Sequence, residues 1–150
     1  MFQAPKGQST RPTSQKTRMA WFNATQTRWE GAEVCDLYAG TGALGIECLS
    51  RGAKAATFVE RATPAMNCIR ANCLSHQVLE RSEFHVRDAN ELMKEWARTE
   101  RQFDGVFIDP PYDWFEDPAL INSLLPRWAS IVRGLGLLMI EWRPSKRGVG

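Results

Sequence analysis

The sequence predicts an α/β fold in which helices cover both faces of a doubly wound, mostly parallel sheet. Short apolar runs rich in strand-forming residues alternate along the chain with segments whose apolar residues recur at helical spacing. Such alternation implies right-handed crossovers and a parallel sheet. A glycine-rich turn at residues 40–45 directly follows the first apolar run, which is typical of a ligand-binding turn at the carboxyl end of a first strand.

The individual elements are predicted from periodicity and from turn and capping residues. The predicted strands are Glu33–Leu37, Ala55–Glu60, Glu83–Arg87, Phe103–Ile108 and Leu137–Glu141. The predicted helices are residues 13–27, 43–50 and 89–98, one opening at Pro64 after a Thr63 cap, and one opened by Asp117 and Pro118. In the first helix Met19 and Phe22 are expected to face the core, with Trp21 as a further candidate.

Length and charge indicate one globular domain with basic ends. The chain has 150 residues, 43% of them hydrophobic, and a net charge of +2. We predict an extended basic arm at 1–12, an α/β domain at 13–142 and a basic tail at 143–150. Basic ends suit contact with a polyanion, although charge alone favours the simpler interpretation of solvated termini.

The four cysteines, Cys35, Cys48, Cys68 and Cys73, are interpreted as small core residues in a reducing compartment. No two of them have the CxxC spacing, and the two histidines complete no metal-ligand pattern with them. The first 18 residues lack the apolar core of a signal peptide, and no apolar run approaches the length of a membrane span. We therefore expect a cytoplasmic protein without a metal or a membrane partner.

The glycine turn reads GTGALG and matches the pattern G-x-G-x-x-G. Glycine suits a turn that needs positive φ or a close approach of backbone to a ligand, and the helix that follows turns free N–H groups towards it. Glu60 ends the next predicted strand, where a carboxylate can accept two hydrogen bonds from a ribose diol. The competing interpretation of Glu60 is an exposed charge at a strand end.

Two further acids distinguish between cofactors. Asp36 lies just before the glycine turn, where it would repel a pyrophosphate and attract a cationic amino-acid group such as that of S-adenosylmethionine. Asp88 follows the third predicted strand and can accept from an adenine amino group, cap the following helix, or do both. These acids favour S-adenosylmethionine over a nicotinamide dinucleotide.

The stretch DPPY, residues 109–112, is the most specific motif in the chain. Two consecutive prolines fix a rigid exit from the fourth strand. This exit holds the Asp109 carboxylate and the Pro110 carbonyl as acceptors, and Tyr112 offers a ring face for stacking. Acceptors beside a stacking surface suit the exocyclic amine of an unstacked nucleobase. The competing interpretation is a proline-rich strand exit with a buried tyrosine.

The glycine turn, Glu60, Asp88 and DPPY, in this order, resemble the S-adenosylmethionine-dependent amino-methyltransferases. The Arg11-Pro-Thr13 arm and DLYAGTGALGIECLSRGA resemble more closely the bacterial RsmD-type enzymes, which methylate the guanine N2 amine of small-subunit ribosomal RNA. The resemblance implies a Rossmann-like class I methyltransferase fold. Its implied cofactor-binding residues are Asp36, Ala39, Gly40, Thr41, Gly42, Glu60, Arg61, Asp88, Ala89 and Asp109. Its implied catalytic residues are Asp109, Pro110, Pro111 and Tyr112, and its implied RNA-binding residues are Arg11, Thr13, Lys16 and Arg18.

The sequence departs from the RsmD-type pattern in three places. Met19 stands where the family usually has a carboxylate, residues 1–9 are too short for its N-terminal hairpin, and its last strands have no counterpart before Gly150. We therefore expect either a fragment or a sheet edge that another chain covers. An adenine-N6 or other amino-methyltransferase, a nicotinamide-dependent oxidoreductase and an inactive RNA-binding module are the alternative functions.

Overall fold

The computed structural model describes residues 19–20, 22–110 and 112–141, and of Tyr112 it describes the backbone. The strands are β1 (Glu33–Leu37), β2 (Ala55–Val59), β3 (Ser82–His85), β4 (Phe103–Ile108) and β5 (Val132–Ile140). The helices are α1 (Ala43–Ser50), α2 (Thr63–Ser75), α3 (Ala89–Thr99) and α4 (Pro118–Ser130), and short 3-10 turns span Gln26–Arg28, Leu79–Arg81 and Tyr112–Glu116. The strands form one sheet in the order β3-β2-β1-β4-β5, and each neighbouring pair is parallel. The predicted doubly wound α/β fold is confirmed.

Two apolar cores lie on the two faces of this sheet. Successive residues of β1 point to opposite faces, so Val34 joins one core while Cys35 and Leu37 join the other. The first core contains the buried side chains of α1 and α2 together with Phe22 and Trp29. The second contains the buried side chains of α3 and α4. Helices thus cover both faces, as a parallel sheet requires.

The chain reverses its winding direction between β1 and β4. From β1 the sheet grows outward through β2 to β3, and the chain then returns to the other side of β1 to form β4 and β5. A crevice forms at such a switch point, outside the carboxyl ends of the two central strands. The glycine turn follows β1, and Asp109–Pro110, the first half of the DPPY stretch, follows β4, so both lie at this crevice.

The predicted bounds of β1, β4 and α1 are confirmed, whereas the predicted bounds of the other three strands, β2, β3 and β5, were wrong. β2 ends at Val59, and β3 runs from Ser82 to His85 instead of from Glu83 to Arg87. β5 begins at Val132, because Val132 pairs with Phe103 before the ladder resumes at Gly105 and Leu137. The intervening residues 133–136, which include two glycines, form a bulge. From the sequence alone these glycines indicate a turn, so the strand was predicted to begin only after them.

Two helix predictions also need correction. Ala62, not Thr63, is the N-cap of α2; Thr63 is already helical and Pro64 follows it within the first turn. In the first predicted helix, residues 19–20 and 22–24 are helical and Phe22 is fully buried, but Met19 is 41% exposed and does not face the core. The remainder of that prediction, including Trp21, lies outside the described residues.

The expected burial of the cysteines is confirmed for three of the four positions. Cys35, Cys48 and Cys73 are buried and unbonded, and Cys68 is half-buried. Burial raises the pKa of the Cys35 and Cys48 thiols well above the ordinary value, so both stay protonated. Among the described residues, no helix is long and apolar enough to cross a membrane, and no group of three His, Cys, Asp or Glu side chains could hold a metal ion.

Candidate active site

The strand register brings the predicted cofactor and substrate residues to one edge of the sheet. Leu37 pairs with Val59 on one side and with Ile108 on the other, so the β1 exit lies between the residues that follow β2 and β4. The Glu60 N–H donates to the His85 carbonyl at 3.1 Å, so the end of β3 lies beside the end of β2 at the same edge of the sheet. Parallel neighbours are about 4.8 Å apart. Asp109, the glycine turn, Glu60 and Asp88 therefore follow one another along this edge.

The glycine turn leaves an open side with free donors. Gly40 and Gly42 have φ of +59° and +79°, a backbone conformation that is strained for residues other than glycine. A Cβ built on Gly40 would meet no atom within 4 Å, so the turn is open there. The Gly42 N–H donates to the Ala39 carbonyl at 2.8 Å, whereas the N–H groups of Gly40 and Thr41 find no acceptor within the described residues. These free donors could bind an oxygen atom of a ligand, and we refer to this open turn as the glycine cradle.

Gly45, the third glycine of the pattern, serves packing instead of binding. A Cβ at this position would lie 2.5 Å from the ring of Phe58 on β2, so only glycine lets α1 approach the sheet this closely. Phe58 is fully buried and stacks on Phe84 with ring centroids 5.7 Å apart. The third glycine therefore sets the distance between α1 and the strands that carry the site.

Asp36 is buried on β1 and reaches the first turn of α1. Its Oδ2 accepts a hydrogen bond of 3.1 Å from the Gly45 N–H, and the side chain is only 2% exposed. The N-cap residue of α1, Gly42, has no side chain that could accept a hydrogen bond from the first turn of the helix. Asp36, on the neighbouring strand, therefore satisfies one of the free amides of that turn. The Asp36 carboxylate thus lies beside the cradle, and its predicted attraction for a cationic ligand remains a prediction.

Asn72, which the sequence analysis missed, holds the glycine turn from the other side. It lies on α2, is 1% exposed, and its Nδ2 donates to the Thr41 carbonyl at 2.9 Å. A polar residue on the buried helix face, three residues after Ile69, is unusual enough to have signalled a specific hydrogen bond. Asn72 and Asp36 thus fix the turn at two separate points.

Glu60 and Arg61 begin the loop after β2. Oε2 of Glu60 accepts from the Ala62 N–H at 3.0 Å, which fixes the carboxylate, while Oε1 has no partner within the described residues. Glu60 is half-buried and Arg61 is exposed. A fixed carboxylate with one free oxygen can accept from a ligand hydroxyl, and the ribose contact expected of Glu60 remains a prediction.

Asp88 is the N-cap of α3, which confirms one of its two predicted roles. Its Oδ1 accepts from the N–H groups of Asn90 at 2.8 Å and Glu91 at 3.3 Å. Asp88 is exposed, and its Oδ2 accepts no hydrogen bond within the described residues. Ala89, the first residue of α3, is 6% exposed and packs in the core. The capping role therefore leaves one carboxylate oxygen for the second predicted role, an adenine contact.

Asp109 and Pro110 leave β4 beside the β1 exit. Asp109 is half-buried and Pro110 is buried, and the Glu141 N–H donates to the Ile108 carbonyl at 2.8 Å, which anchors the end of the strand. Pro111 and the side chain of Tyr112 lie outside the described residues, as do Arg11, Thr13, Lys16 and Arg18. Their predicted roles remain predictions.

Tyr38 is a second residue that the sequence analysis missed. It has φ of +55° without being glycine, and its hydroxyl donates to Asn90 Oδ1 at 2.9 Å. Burial raises the pKa of this phenol to about 12, an effect that the nearby Trp128 indole opposes and the Asp88 charge reinforces. The phenol therefore stays protonated and able to donate over the whole physiological range.

Comparison with known proteins identifies the family. The model of the family described as conserved hypothetical protein 95 matches residues 1–143. The chain belongs to this family, the RsmD-type ribosomal RNA methyltransferases. Residues 1–143 include the glycine turn, Glu60, Asp88 and the DPPY stretch, so the resemblance predicted from these motifs is confirmed.

Individual relatives agree with this assignment. The chain is 36% identical over 121 residues to YlbH of Bacillus subtilis, which is itself only provisionally named an rRNA methyltransferase; the match covers 81% of the chain and 66% of YlbH. It is 33% identical over 107 residues to the ribosomal RNA small subunit methyltransferase D of Haemophilus influenzae, covering 68% of the chain and 53% of that enzyme. The chain thus spans about half to two thirds of the length of these relatives.

A solved structure with bound S-adenosylhomocysteine supports the class of fold. This protein, SMU.776, is provisionally described as a methyltransferase and superposes with a TM-score of 0.66 at 19% identity. The superposition covers 79% of the chain and 34% of that protein. The Rossmann-like class I methyltransferase fold expected from the sequence is confirmed.

Proposed function

We propose that this RsmD-type protein transfers a methyl group from S-adenosylmethionine to the N2 amine of a guanine in small-subunit ribosomal RNA, in the cytoplasm. One observation carries the proposal: the open glycine cradle after β1 and the Asp109–Pro110 exit of β4 are direct neighbours at the switch point of the sheet. A cofactor in the cradle and a base at the exit would therefore lie within reach of each other.

The free groups at this edge fit the cofactor. The Gly40 and Thr41 N–H groups are donors for an anionic or carbonyl oxygen, and Asp36 contributes the negative charge that favours a cationic amino-acid end. Oε1 of Glu60 can accept from the ribose diol, and Oδ2 of Asp88 from the adenine amine. Ala39, Gly42, Arg61 and Ala89 are neighbours of these groups along the same loops.

The chemical step needs little more than positioning. When bound, S-adenosylmethionine supplies an electrophilic methyl group on a sulfonium. Asp109 and the Pro110 carbonyl would accept the hydrogen bonds of the guanine amine and so turn its lone pair towards that methyl group. The Asp109 carboxylate would stabilise the positive charge that develops on the nitrogen and then take up the proton that the nitrogen releases. Tyr112 is proposed to stack on the base, and Pro111 to keep the exit rigid.

RNA binding is proposed for the basic arm, with Arg11, Thr13, Lys16 and Arg18 as the contacting residues. Arginine and lysine side chains neutralise phosphates, and each such contact makes the affinity more dependent on salt. Replacing Arg11 and Lys16 together by Ala should weaken RNA binding uniformly and flatten its salt dependence, without altering the affinity for S-adenosylhomocysteine.

Analysis of the methylated nucleoside tests the proposed substrate. Unmodified 16S ribosomal RNA, assembled small subunits and duplex DNA are incubated with the protein and labelled S-adenosylmethionine, and the products are digested to nucleosides. We expect N2-methylguanosine from the RNA or the subunits. Label in N6-methyladenine from DNA would replace the proposal by a DNA methyltransferase. Cofactor binding without transfer to any of the three substrates would indicate an inactive binding module.

A further inference from the structure

Tyr38 connects three of the four loops that form the proposed site. It is the first residue after β1, and its backbone continues into the glycine turn. Its hydroxyl donates to Asn90 at the start of α3, two residues after Asp88. Its ring meets Trp114 edge to face, with centroids 5.2 Å apart, in the 3-10 turn that begins at the last residue of DPPY. One side chain therefore contacts both the proposed adenine side and the proposed base side.

The backbone conformation of Tyr38 is what makes these contacts possible. Strict alternation along β1 would place residue 38 on the face of Asp36 and Val34. With φ of +55°, Tyr38 instead packs against the opposite core, on the side of α3 and α4. A left-handed conformation is sterically unfavourable for a residue with a Cβ. Such strain persists only where surrounding contacts hold it, and it concentrates at functional sites.

Asn90 and Trp114 depend on Tyr38 for their connection. Among the described residues, no hydrogen bond or ring contact joins Asn90 to Trp114 directly. The Asn90 backbone is in turn held by Asp88, and the Trp114 carbonyl accepts from the Asp117 N–H at 3.1 Å. A change at Tyr38 would thus reach the α3 cap and the turn after DPPY at the same time.

We infer that Tyr38 is a positioning residue that fixes the turn after DPPY relative to the cofactor cradle, through its hydroxyl on Asn90 and its ring on Trp114. The inference rests on the proposed methyl transfer and adds a residue to that site. It assigns separate tasks to the two parts of one side chain. The hydroxyl holds the α3 side, and the ring holds the DPPY side.

Hydrogen exchange tests this division without requiring activity. Backbone exchange is followed at Asn90 and Glu91 on the α3 side, and at Asp117 and Leu120 beyond DPPY, in Tyr38→Phe and Tyr38→Ala proteins. Tyr38→Phe should speed exchange about tenfold on the α3 side only, because the ring on Trp114 remains. Tyr38→Ala should speed exchange on both sides. Equal effects of the two substitutions on both sides, or no effect on either, would overturn the inference.

Methyl transfer provides the functional half of the test. At saturating cofactor and RNA, we expect Tyr38→Phe to lower kcat threefold or more while the affinity for S-adenosylhomocysteine changes less than twofold. Phe103→Leu, which disturbs the Trp96–Phe103 ring pair at the amino end of β4, serves as the control for general destabilisation. It should lower the melting temperature and leave kcat unchanged. An unchanged kcat in Tyr38→Phe would overturn the positioning role, whereas a wild-type protein without transfer would overturn the proposed function and leave the exchange result to decide on Tyr38.

Discussion

Asp36 on β1 accepts a hydrogen bond of 3.1 Å from the Gly45 N–H in the first turn of α1. This bond joins the strand before the glycine turn to the helix after it, so the turn is closed on itself by a buried carboxylate. The helix N-terminus in turn presents positive partial charge to that carboxylate. The acid that the sequence assigned to a cationic ligand therefore also has a structural task.

Replacing Asp36 should separate its structural task from its electrostatic one. In Asp36→Ala the buried Gly45 N–H loses its acceptor, so the free energy of unfolding should fall by about 1–3 kcal/mol. Asp36→Asn keeps an acceptor oxygen without the charge, and we expect it to lose less stability but still to bind S-adenosylmethionine more weakly. Urea unfolding and calorimetry measure the two effects. Equal stability of Asp36→Ala and the wild type would contradict the structural task.

The close contact between α1 and β2 predicts a steric effect at Gly45. A Cβ there would lie 2.5 Å from the Phe58 ring, so Gly45→Ala should lower the free energy of unfolding by about 1–3 kcal/mol through overpacking. Combining it with Phe58→Leu should recover part of the loss, because the smaller side chain makes room. Urea unfolding of both single variants and the double variant gives the coupling, and strictly additive losses would argue against the contact.

Glu60 should contribute to cofactor affinity much more than to stability. Its carboxylate has one oxygen free for a ligand hydroxyl, so Glu60→Ala should weaken binding of S-adenosylhomocysteine by about 1–3 kcal/mol, or roughly 5- to 150-fold. Glu80→Ala, which removes an exposed carboxylate from the 3-10 turn before β3, is the matched control and should bind like the wild type. Similar affinities in the two variants by calorimetry would remove Glu60 from the site.

Tyr38 predicts a loss of stability at alkaline pH. The pKa of its phenol is about 12 in the folded protein and about 10 in the unfolded chain, so the unfolded chain releases this proton first. Below pH 10 both states are protonated and the shift has no effect; between pH 10 and 12 the free energy of unfolding should fall by roughly 2–3 kcal/mol. Tyr38→Phe should lack this component. Parallel stability curves for the wild type and Tyr38→Phe across this range would contradict it.

The sequence predicted those parts of the fold that depend on local signals. β1, β4 and α1 have the predicted bounds because each is an apolar segment limited by a turn, a glycine or a change of period. The start of β5 depends instead on pairing between Val132 and Phe103, far apart in the chain, across a bulge that looks like a turn. The α2 cap was misplaced because Thr63 is already helical and the N-cap is Ala62, whose methyl side chain gives no capping signal in the sequence.

For the site, the motif residues were predictable and their supports were not. The glycines, Glu60, Asp88 and Asp109 stand at strand ends, where a pattern can locate them. Asn72 and Tyr38 act through contacts with distant loops, and Tyr38 leaves the alternation of β1 only because of its positive φ. The alternation of residues along a strand does not reveal that Tyr38 turns to the opposite face of the sheet. Supporting residues of this kind can therefore be identified only from the three-dimensional structure.

The central claim, that Asp109 acts on the substrate amine beside a separately formed cofactor site, is tested most directly by measuring methyl transfer and cofactor affinity on the same variant. Asp109→Ala should abolish transfer to ribosomal RNA while binding S-adenosylhomocysteine about as well as the wild type. Asp104→Ala, at the amino end of the same strand, removes bonds to Glu33 and Arg133 and should cost stability but retain transfer. Full transfer by Asp109→Ala would contradict the claim.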